Sequence, residues 1–384
     1  MAQPRLVRVL HFAQDCDTSG FFGQLARFHD RSRFKMFFGT LGVITPELRR
    51  SVEEQGVQVL SLDSGSRFSY PRRLPTVVAA LRQLRIDILH THLFDASVVG
   101  LTAGVLAGVP LRVMTRHYSD YHTRIGKRWH VGLDRMCTRL AHSVIAVSHQ
   151  TRRVMLEEEG APAEKVVVIH NGIDLSRVKS PSYEEVAQLR RELDVENCAM
   201  VSVIARLHPE KGHEYLFRAL PRLLSATRGK LRLLVAGAGP FRETYGREVS
   251  GLGVEEAVRF LGFRTDIARI LSVSDVVVLP SVAEAFGLVL AEAMAMEKAV
   301  VATRVGGIPE IIQDGVTGVL VPPASPEALA DAILALLRDP VRRAQLGRAG
   351  RRRVEEAFRF ERMMEGYEAV YETLLEKVRL GVAG

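Results

Sequence analysis

The sequence predicts an α/β fold made of two doubly wound domains, each built on a parallel sheet. Three observations lead there. Short apolar, β-branched runs alternate with longer amphipathic segments from end to end. The runs are continuously apolar, as strands covered by helices on both faces are. The alternation breaks once, in the polar stretch LSRVKSPSYEEVAQLRRELDVE at 175–196. A chain of 384 residues is too long for one ordinary doubly wound domain and comfortable for two.

In chain order, LVRVLHFA, KMFFGTLG, VQVLSLD, DILHTHL, LRVMTRH, SVIAVS and KVVVIHNG are the strands of the first half. PELRRSVEEQG, PTVVAALRQLR and ASVVGLTAGVLAG are helices between them, so the pattern is that of repeated βαβ units. The break at 175–196 is a linker plus a helix that opens the second domain. AMVSVIAR, LRLLVAGAG, VRFLGF, DVVVLPS, AVVATRV and GVLVPP continue as strands, and long helices follow from Pro326. The last helix, about 362–379, carries Met364, Tyr367, Val370, Tyr371 and Leu374 at helical spacing. Such a tail either packs back on the first domain or caps the second. The expected division is 1–175, with 362–384 returning to it, and 176–361.

Composition narrows the function. The net charge of +8 points to anionic partners, namely phosphates, nucleic acid or a membrane surface, or else to a basic surface that serves solubility. Cys16, Cys137 and Cys198 are far apart, which argues against a disulfide framework or a zinc site and fits a reducing cytoplasm. The N-terminus meets a charge too early for a signal peptide. The longest apolar stretch, Val98 to Leu111, is too short and glycine-rich to span a bilayer. Any membrane contact would be peripheral.

The informative motifs lie just past the carboxyl ends of second-half strands, where such sheets bind ligands. In IARLHPEKGHEYLFRAL (204–220), Arg206 and Lys211 flank a strand-to-helix turn. Two cations beside a helix N-terminus suit a diphosphate, or are two solvated surface charges. VAGAGP (235–240) is a glycine turn that admits either a ligand or a neighbouring backbone, and it lacks full G-x-G-x-x-G spacing. In DVVVLPSVAEAFGLVLAEAMAMEKAVVATRVGGIPEII (275–312), a strand runs through a Pro-Ser loop to Glu284, then Ala-Phe-Gly, then a helix carrying Glu292. The amides of Phe286, Gly287 and Leu288 would face outward as anion donors. Glu292 would lie about 12 Å from Glu284 if the whole interval were helical at about 1.5 Å per residue. Two glutamates eight apart are common by chance, so the pair gains meaning from the strand, loop and helix around it.

This segment resembles the E-x7-E signature of glycosyltransferase family 4, a group of retaining enzymes with the GT-B fold of two Rossmann-like domains facing across a cleft. Arg206 and Lys211 are similar to that family's phosphate-binding pair. IHNGID (169–174) resembles the end of its first domain, and DILHTH and VMTRH, ending at His92 and His117, resemble its histidine-bearing strand ends. The resemblance implies a nucleotide diphosphate sugar as donor substrate, with no cofactor and no metal. UDP is the preferred carrier and GDP the second. It implies that Glu292 binds the donor ribose and that Arg206 and Lys211 neutralise the diphosphate. Glu284 and the amides of Phe286, Gly287 and Leu288 would hold the sugar and phosphate. Phe263 and Arg264 would lie beside the base, and His117 near the reacting sugar. One departure concerns the loop after the first strand. The family's Gly-Gly pair is replaced by AQDCDTSGFFG, in which Gly20 is the best match.

The acceptor side is written less distinctly. His92, Tyr118, Tyr121, Arg124, Lys127 and Arg128 are its candidates, in a stretch that mixes basic and aromatic residues. That mixture suits a phosphorylated, glycan, lipid-linked or small-molecule acceptor, with peripheral contact to an anionic membrane. It would equally suit an exposed basic helix. The rival from another class is a basic membrane- or nucleic-acid-binding protein with an inactive fold. The intact glutamate pair and phosphate cations count against it, and no nucleic-acid partner is expected. Asp95 and Asp120 also follow strand ends, leaving an inverting base open.

Overall fold

The computed structural model describes residues 5–14, 20–62, 69–119, 128–178, 181–193, 195 and 197–381. Contacts divide the chain into two compact units, Met1–His170 with Phe360–Gly384, and Asn171–Arg359.

The first unit holds seven parallel strands: β1 (Val7–Ala13), β2 (Phe34–Thr40), β3 (Gln58–Ser61), β4 (Ile88–His92), β5 (Leu111–Arg116), β6 (Ser143–Ala146) and β7 (Val166–Val168). Their spatial order is β3-β2-β1-β4-β5-β6-β7. Successive strands on each side are joined by helices, and the order reverses between β1 and β4. The helix Pro46–Glu53 starts where its run does, whereas the other two helices read between these strands begin earlier than their runs. Phe94–Ala107, for example, starts two residues before the predicted stretch and ends on Gly108 in the left-handed region.

The helix Phe360–Arg379 supplies Phe360, Met363, Met364, Tyr367, Tyr371 and Leu374 to the core on one face of this sheet, against Val9, Ala13, Ile88 and Val113. Fully burying a large apolar side chain is worth about 1.5–3 kcal/mol, so this face anchors the helix firmly. The opposite face is covered by a separate core in which Leu10, Phe12, Leu89, Val77 and Leu81 meet.

The second unit has six parallel strands: β8 (Ala199–Ile204), β9 (Leu231–Ala236), β10 (Val258–Gly262), β11 (Val276–Leu279), β12 (Ala299–Thr303) and β13 (Val319–Val321). The order β10-β9-β8-β11-β12-β13 reverses between β8 and β11. It is the strand order of dinucleotide-binding domains, in which ligands sit outside the carboxyl ends at the reversal. The stretch read as a linker plus a helix holds the helix Tyr183–Glu192, started by a capping box of Ser182 and Glu185. Among the described residues, no helix is long and apolar enough to cross a membrane.

Candidate functional site

In the second unit, the loops leaving β8 and β11 flank the reversal of strand order. Lys211 ends the short turn Pro209–Lys211, just before the helix His213–Ala226. Its Nζ donates to Glu284 Oε2 at 2.6 Å, and the two side chains are only 14% and 13% exposed. Ser281 Oγ approaches the same carboxylate oxygen at 3.4 Å. Arg206 behaves differently. Its side chain is 74% exposed, and one guanidinium nitrogen reaches Glu210 at 2.8 Å. The turn is tied to the second loop by the backbone, since the Val282 amide donates to the Glu210 carbonyl at 2.8 Å.

The GGIPE segment completes this cluster. The Gly307 amide donates to the Glu284 carbonyl at 3.1 Å. A side chain on Gly306 would collide with that same carbonyl oxygen, and its φ of +53° already favours glycine. The glycines of VAGAGP do comparable work: Cβ atoms at Gly237 and Gly239 would meet the carbonyls of Ala205 and Leu207. Of the two readings open for that turn, close approach of a neighbouring backbone is the one present. It fixes the segment that carries Arg206.

Helical structure starts only at Leu288, with Gly287 as its left-handed N-cap. The straight-helix separation of Glu284 from Glu292 therefore does not apply, because Glu284 stands in the loop. The first-turn amide of Leu288 has no intrahelical acceptor. The Phe286 ring is buried edge-on against Phe358, at 5.6 Å between centroids. Glu292 lies one turn into the helix. Desolvation pushes its carboxyl up to about 7, opposed by the charge of Arg177. Phe263 lies just past β10 and is exposed, while Arg264 holds Asp266 through Nε and Nη2 at 2.7 and 2.5 Å.

The first unit gathers a different chemistry. Side chains alternate along a strand, so His11 on β1, His90 and His92 on β4, and Thr115 on β5 share one face, and His117 follows two residues on. Register places His11 beside His90 and His92 beside Thr115. His11 Nδ1 meets His92 Nε2 at 2.9 Å, and His92 Nδ1 meets His117 Nε2 at 3.1 Å. His90 bonds the Tyr371 hydroxyl through Nδ1 at 2.5 Å and Thr115 Oγ1 through Nε2 at 2.7 Å. Tyr371 in turn lies 3.4 Å from His11 Nε2. Burial lowers His11 to about 3 and His117 to about 4, and it holds His90 and His92 well below the usual histidine range. The cluster is therefore neutral at physiological pH.

His11 and His90 were not picked out as site residues from sequence. The available signal was two polar residues at inward positions of apolar strands. The ring nitrogens of His11, His90 and His92 lie within 4.8 Å of one another, a spacing a metal could use. All six of those nitrogens are already engaged in the contacts above.

Tyr118 follows His117. Its hydroxyl donates to Asp134 at 2.5 Å and its ring lies 3.9 Å from the Arg116 guanidinium. Arg116 is fully buried and paired with both Asp134 and Glu159. Gly20 caps the helix Phe21–Phe28 with φ of +70°. Phe21 presents its ring to His117 at 5.8 Å. Arg128 opens the helix Arg128–Leu140. Tyr121, Arg124 and Lys127 lie outside the described residues, as do 15–19 of the atypical loop.

Comparison with known proteins bears on this arrangement. Residues 187–353 match the family described as Glycosyl transferases group 1, and residues 40–177 match Glycosyltransferase Family 4. N-acetyl-alpha-D-glucosaminyl L-malate synthase of Bacillus anthracis is 28% identical over 379 residues, covering 89% of this chain and 96% of that protein. D-inositol 3-phosphate glycosyltransferase of Corynebacterium diphtheriae is 30% identical over 347 residues, covering 83% and 80%. Among solved structures, Anabaena Alr3699/HepE in complex with UDP superposes with a TM-score of 0.79 at 25% identity, covering 96% of this chain and all of that one.

Proposed function

The chain belongs to glycosyltransferase family 4, and on that premise we propose that it is a retaining enzyme transferring a sugar from a UDP-sugar to a small anionic acceptor. The carrying observation is the Lys211–Glu284 pair at the strand-order reversal, flanked by Arg206 and the start of the Leu288–Ala295 helix. A diphosphate arriving there would draw Lys211 from Glu284 and engage Arg206, whose guanidinium is mostly open. Both cations and the first-turn amides would stabilise charge developing on the leaving diphosphate, which is where electrostatic catalysis acts.

Retention follows from the same placement in this reading. The leaving diphosphate stays on the face that the acceptor hydroxyl attacks, and takes its proton there. Glu284, freed from Lys211, orients the sugar. Glu292 accepts from ribose hydroxyls, Phe263 and Arg264 flank the base, and His117 positions a sugar or acceptor hydroxyl. The reaction needs no metal, because two cations already supply the charge. Uracil is favoured over guanine by the UDP of the Anabaena structure.

A small anionic acceptor is supported by the names of the Bacillus and Corynebacterium relatives, which specify malate and inositol phosphate, and by the net charge of +8. Glycan and lipid-linked acceptors are the other members of the class, the latter with peripheral membrane contact. The free thiols Cys137 and Cys198 suit a cytoplasmic setting.

The test is a panel of UDP- and GDP-sugars scored for thermal stabilisation and slow hydrolysis, then transfer from an α-linked donor with the product's anomeric coupling read by NMR. A UDP-sugar should stand out and the product should be α-linked. A β-linked product would overturn retention.

A further inference from the structure

The histidines of the first unit form one continuous hydrogen-bonded chain. It runs Thr115, His90, Tyr371, His11, His92, His117, through contacts of 2.7, 2.5, 3.4, 2.9 and 3.1 Å. Every residue before His117 is buried, with exposures of 2% or less. No charge enters the chain, because burial keeps all four imidazoles neutral.

A neutral imidazole carries one N–H and one bare nitrogen, and a hydroxyl donates once. In an unbranched chain of such groups, each proton dictates the next. Only two registers exist, one the reverse of the other. The end of the chain selects between them. Thr115 Oγ1 donates to the Tyr367 hydroxyl at 3.4 Å, so it accepts from His90 Nε2. Tyr371 then donates to His90 Nδ1 and accepts from His11 Nε2. His92 Nε2 donates to His11 Nδ1, and His117 Nε2 donates to His92 Nδ1. His117 Nδ1 is left bare. No described residue hydrogen-bonds that atom, and the ring is only partly buried, so it is available to accept from a substrate hydroxyl.

We propose that Tyr371 and Thr115 are positioning residues that lock His117, through His90, His11 and His92, in the tautomer whose bare Nδ1 accepts a hydrogen bond from a substrate hydroxyl. The proposal rests on the assignment of His117 to the reaction made above. It gives the C-terminal helix a role beyond packing, since the hydroxyl at the middle of the chain comes from that helix and the other members from the sheet. Removing the Tyr371 hydroxyl separates His11, His92 and His117 from the end that sets their direction. The three could then take either register, and in one of them His117 presents an N–H where an acceptor is needed.

The experiment combines histidine-selective 15N NMR with steady-state kinetics on the full chain. In the wild type, His117 should give a single pattern with Nε2 protonated and Nδ1 bare. Tyr371→Phe and Thr115→Val should show both tautomers at His117. Each should lower kcat roughly two- to tenfold, the loss expected from misdirecting one hydrogen bond, with UDP affinity and acceptor KM nearly unchanged. Thr115→Ser, which restores the hydroxyl, should restore the single tautomer and the rate. A merely structural role would instead lower the melting temperature and leave the tautomer alone. An unchanged His117 pattern in both Tyr371→Phe and Thr115→Val overturns the lock. Mixed tautomers with wild-type kcat overturn its service to the reaction. Wild-type turnover in His117→Ala would instead sink the assignment of His117, while the spectra still decide the lock.

Discussion

Arg116 and Arg206 stand at the ends of strands in the two units and have opposite fates. Arg116 ends β5 in the first unit, fully buried and held by Asp134 and Glu159. Arg206 stands two residues past β8 in the second, 74% exposed, with Glu210 as its acidic partner. The first is consumed by the fold, because a buried guanidinium must be paired and hydrogen-bonded. The second is open to an incoming anion. The same contrast extends to the neighbours. The first unit surrounds His117 with other histidine rings and closed ion pairs. The second keeps Lys211 and Glu284 paired with each other, each about one-seventh exposed or less. A charged cluster and an uncharged one are thus built on the same sheet architecture. What differs is which strand-end groups the core swallows.

The largest effect should come from breaking the closed side. Asp134→Ala would leave Arg116 buried with one partner fewer and the Tyr118 hydroxyl without its acceptor. Removing one member of a buried pair costs about 3–5 kcal/mol. Chemical denaturation should show that loss, and a change below about 1 kcal/mol would mean Arg116 is not dependent on its acids.

Next comes Glu284→Gln, which releases Lys211 from its carboxylate without removing the side chain. Transfer should fall by the value of a charged hydrogen bond, about 1.5–3 kcal/mol in kcat/KM. UDP alone should bind as well as before, or better, because Lys211 no longer has a competing anion. Weaker UDP binding in this variant would mean that Glu284 holds Lys211 in place for the diphosphate rather than competing with it.

A smaller, pH-dependent effect is expected at Glu292. Its folded value is raised to about 7 from the ordinary 4.5. Between those limits the folded state keeps a proton that the unfolded state releases, so this group's contribution falls as pH rises through the window, and then levels. Glu292→Gln cannot ionise. Relative to wild type it should gain stability at pH 8 and show no gain at pH 4, read as melting temperature. An equal offset at both pH values would show that the carboxyl is not desolvated.

The smallest effect should be Arg206→Ala on stability, within about 0–1 kcal/mol as for other exposed pairs. The same substitution should weaken diphosphate binding. A large loss of stability would erase the distinction from Arg116.

Much of this was legible in the sequence. The thirteen apolar runs became the strands of the seven- and six-stranded sheets, because a strand buried on both faces has no polar side to disguise it. Lys211 and Glu284 were legible from the strand–loop–helix pattern, though their direct pairing was not, since the two lie 73 residues apart. The condition on which the reach from Glu284 to Glu292 was reckoned, a helix throughout, is not met, because Gly287, in the left-handed region, starts the helix only at Leu288. Tyr367 and Tyr371 were visible at helical spacing as core residues. Their hydroxyl contacts with Thr115 and His90 depend on how the tail docks on the sheet, which no local pattern encodes. His11 and His90 left only the trace of polar residues at inward strand positions, and their meeting depends on the register of β1 against β4.

The division of labour between the two units is tested most directly by calorimetric titration of UDP into Lys211→Ala and His117→Ala. Lys211→Ala should bind UDP roughly ten- to a hundredfold more weakly, the value of about 1.5–3 kcal/mol for a hydrogen bond to a charged group. His117→Ala should bind UDP as the wild type does, its defect confined to turnover. Equal weakening in both variants, or unchanged affinity in Lys211→Ala, would contradict the account.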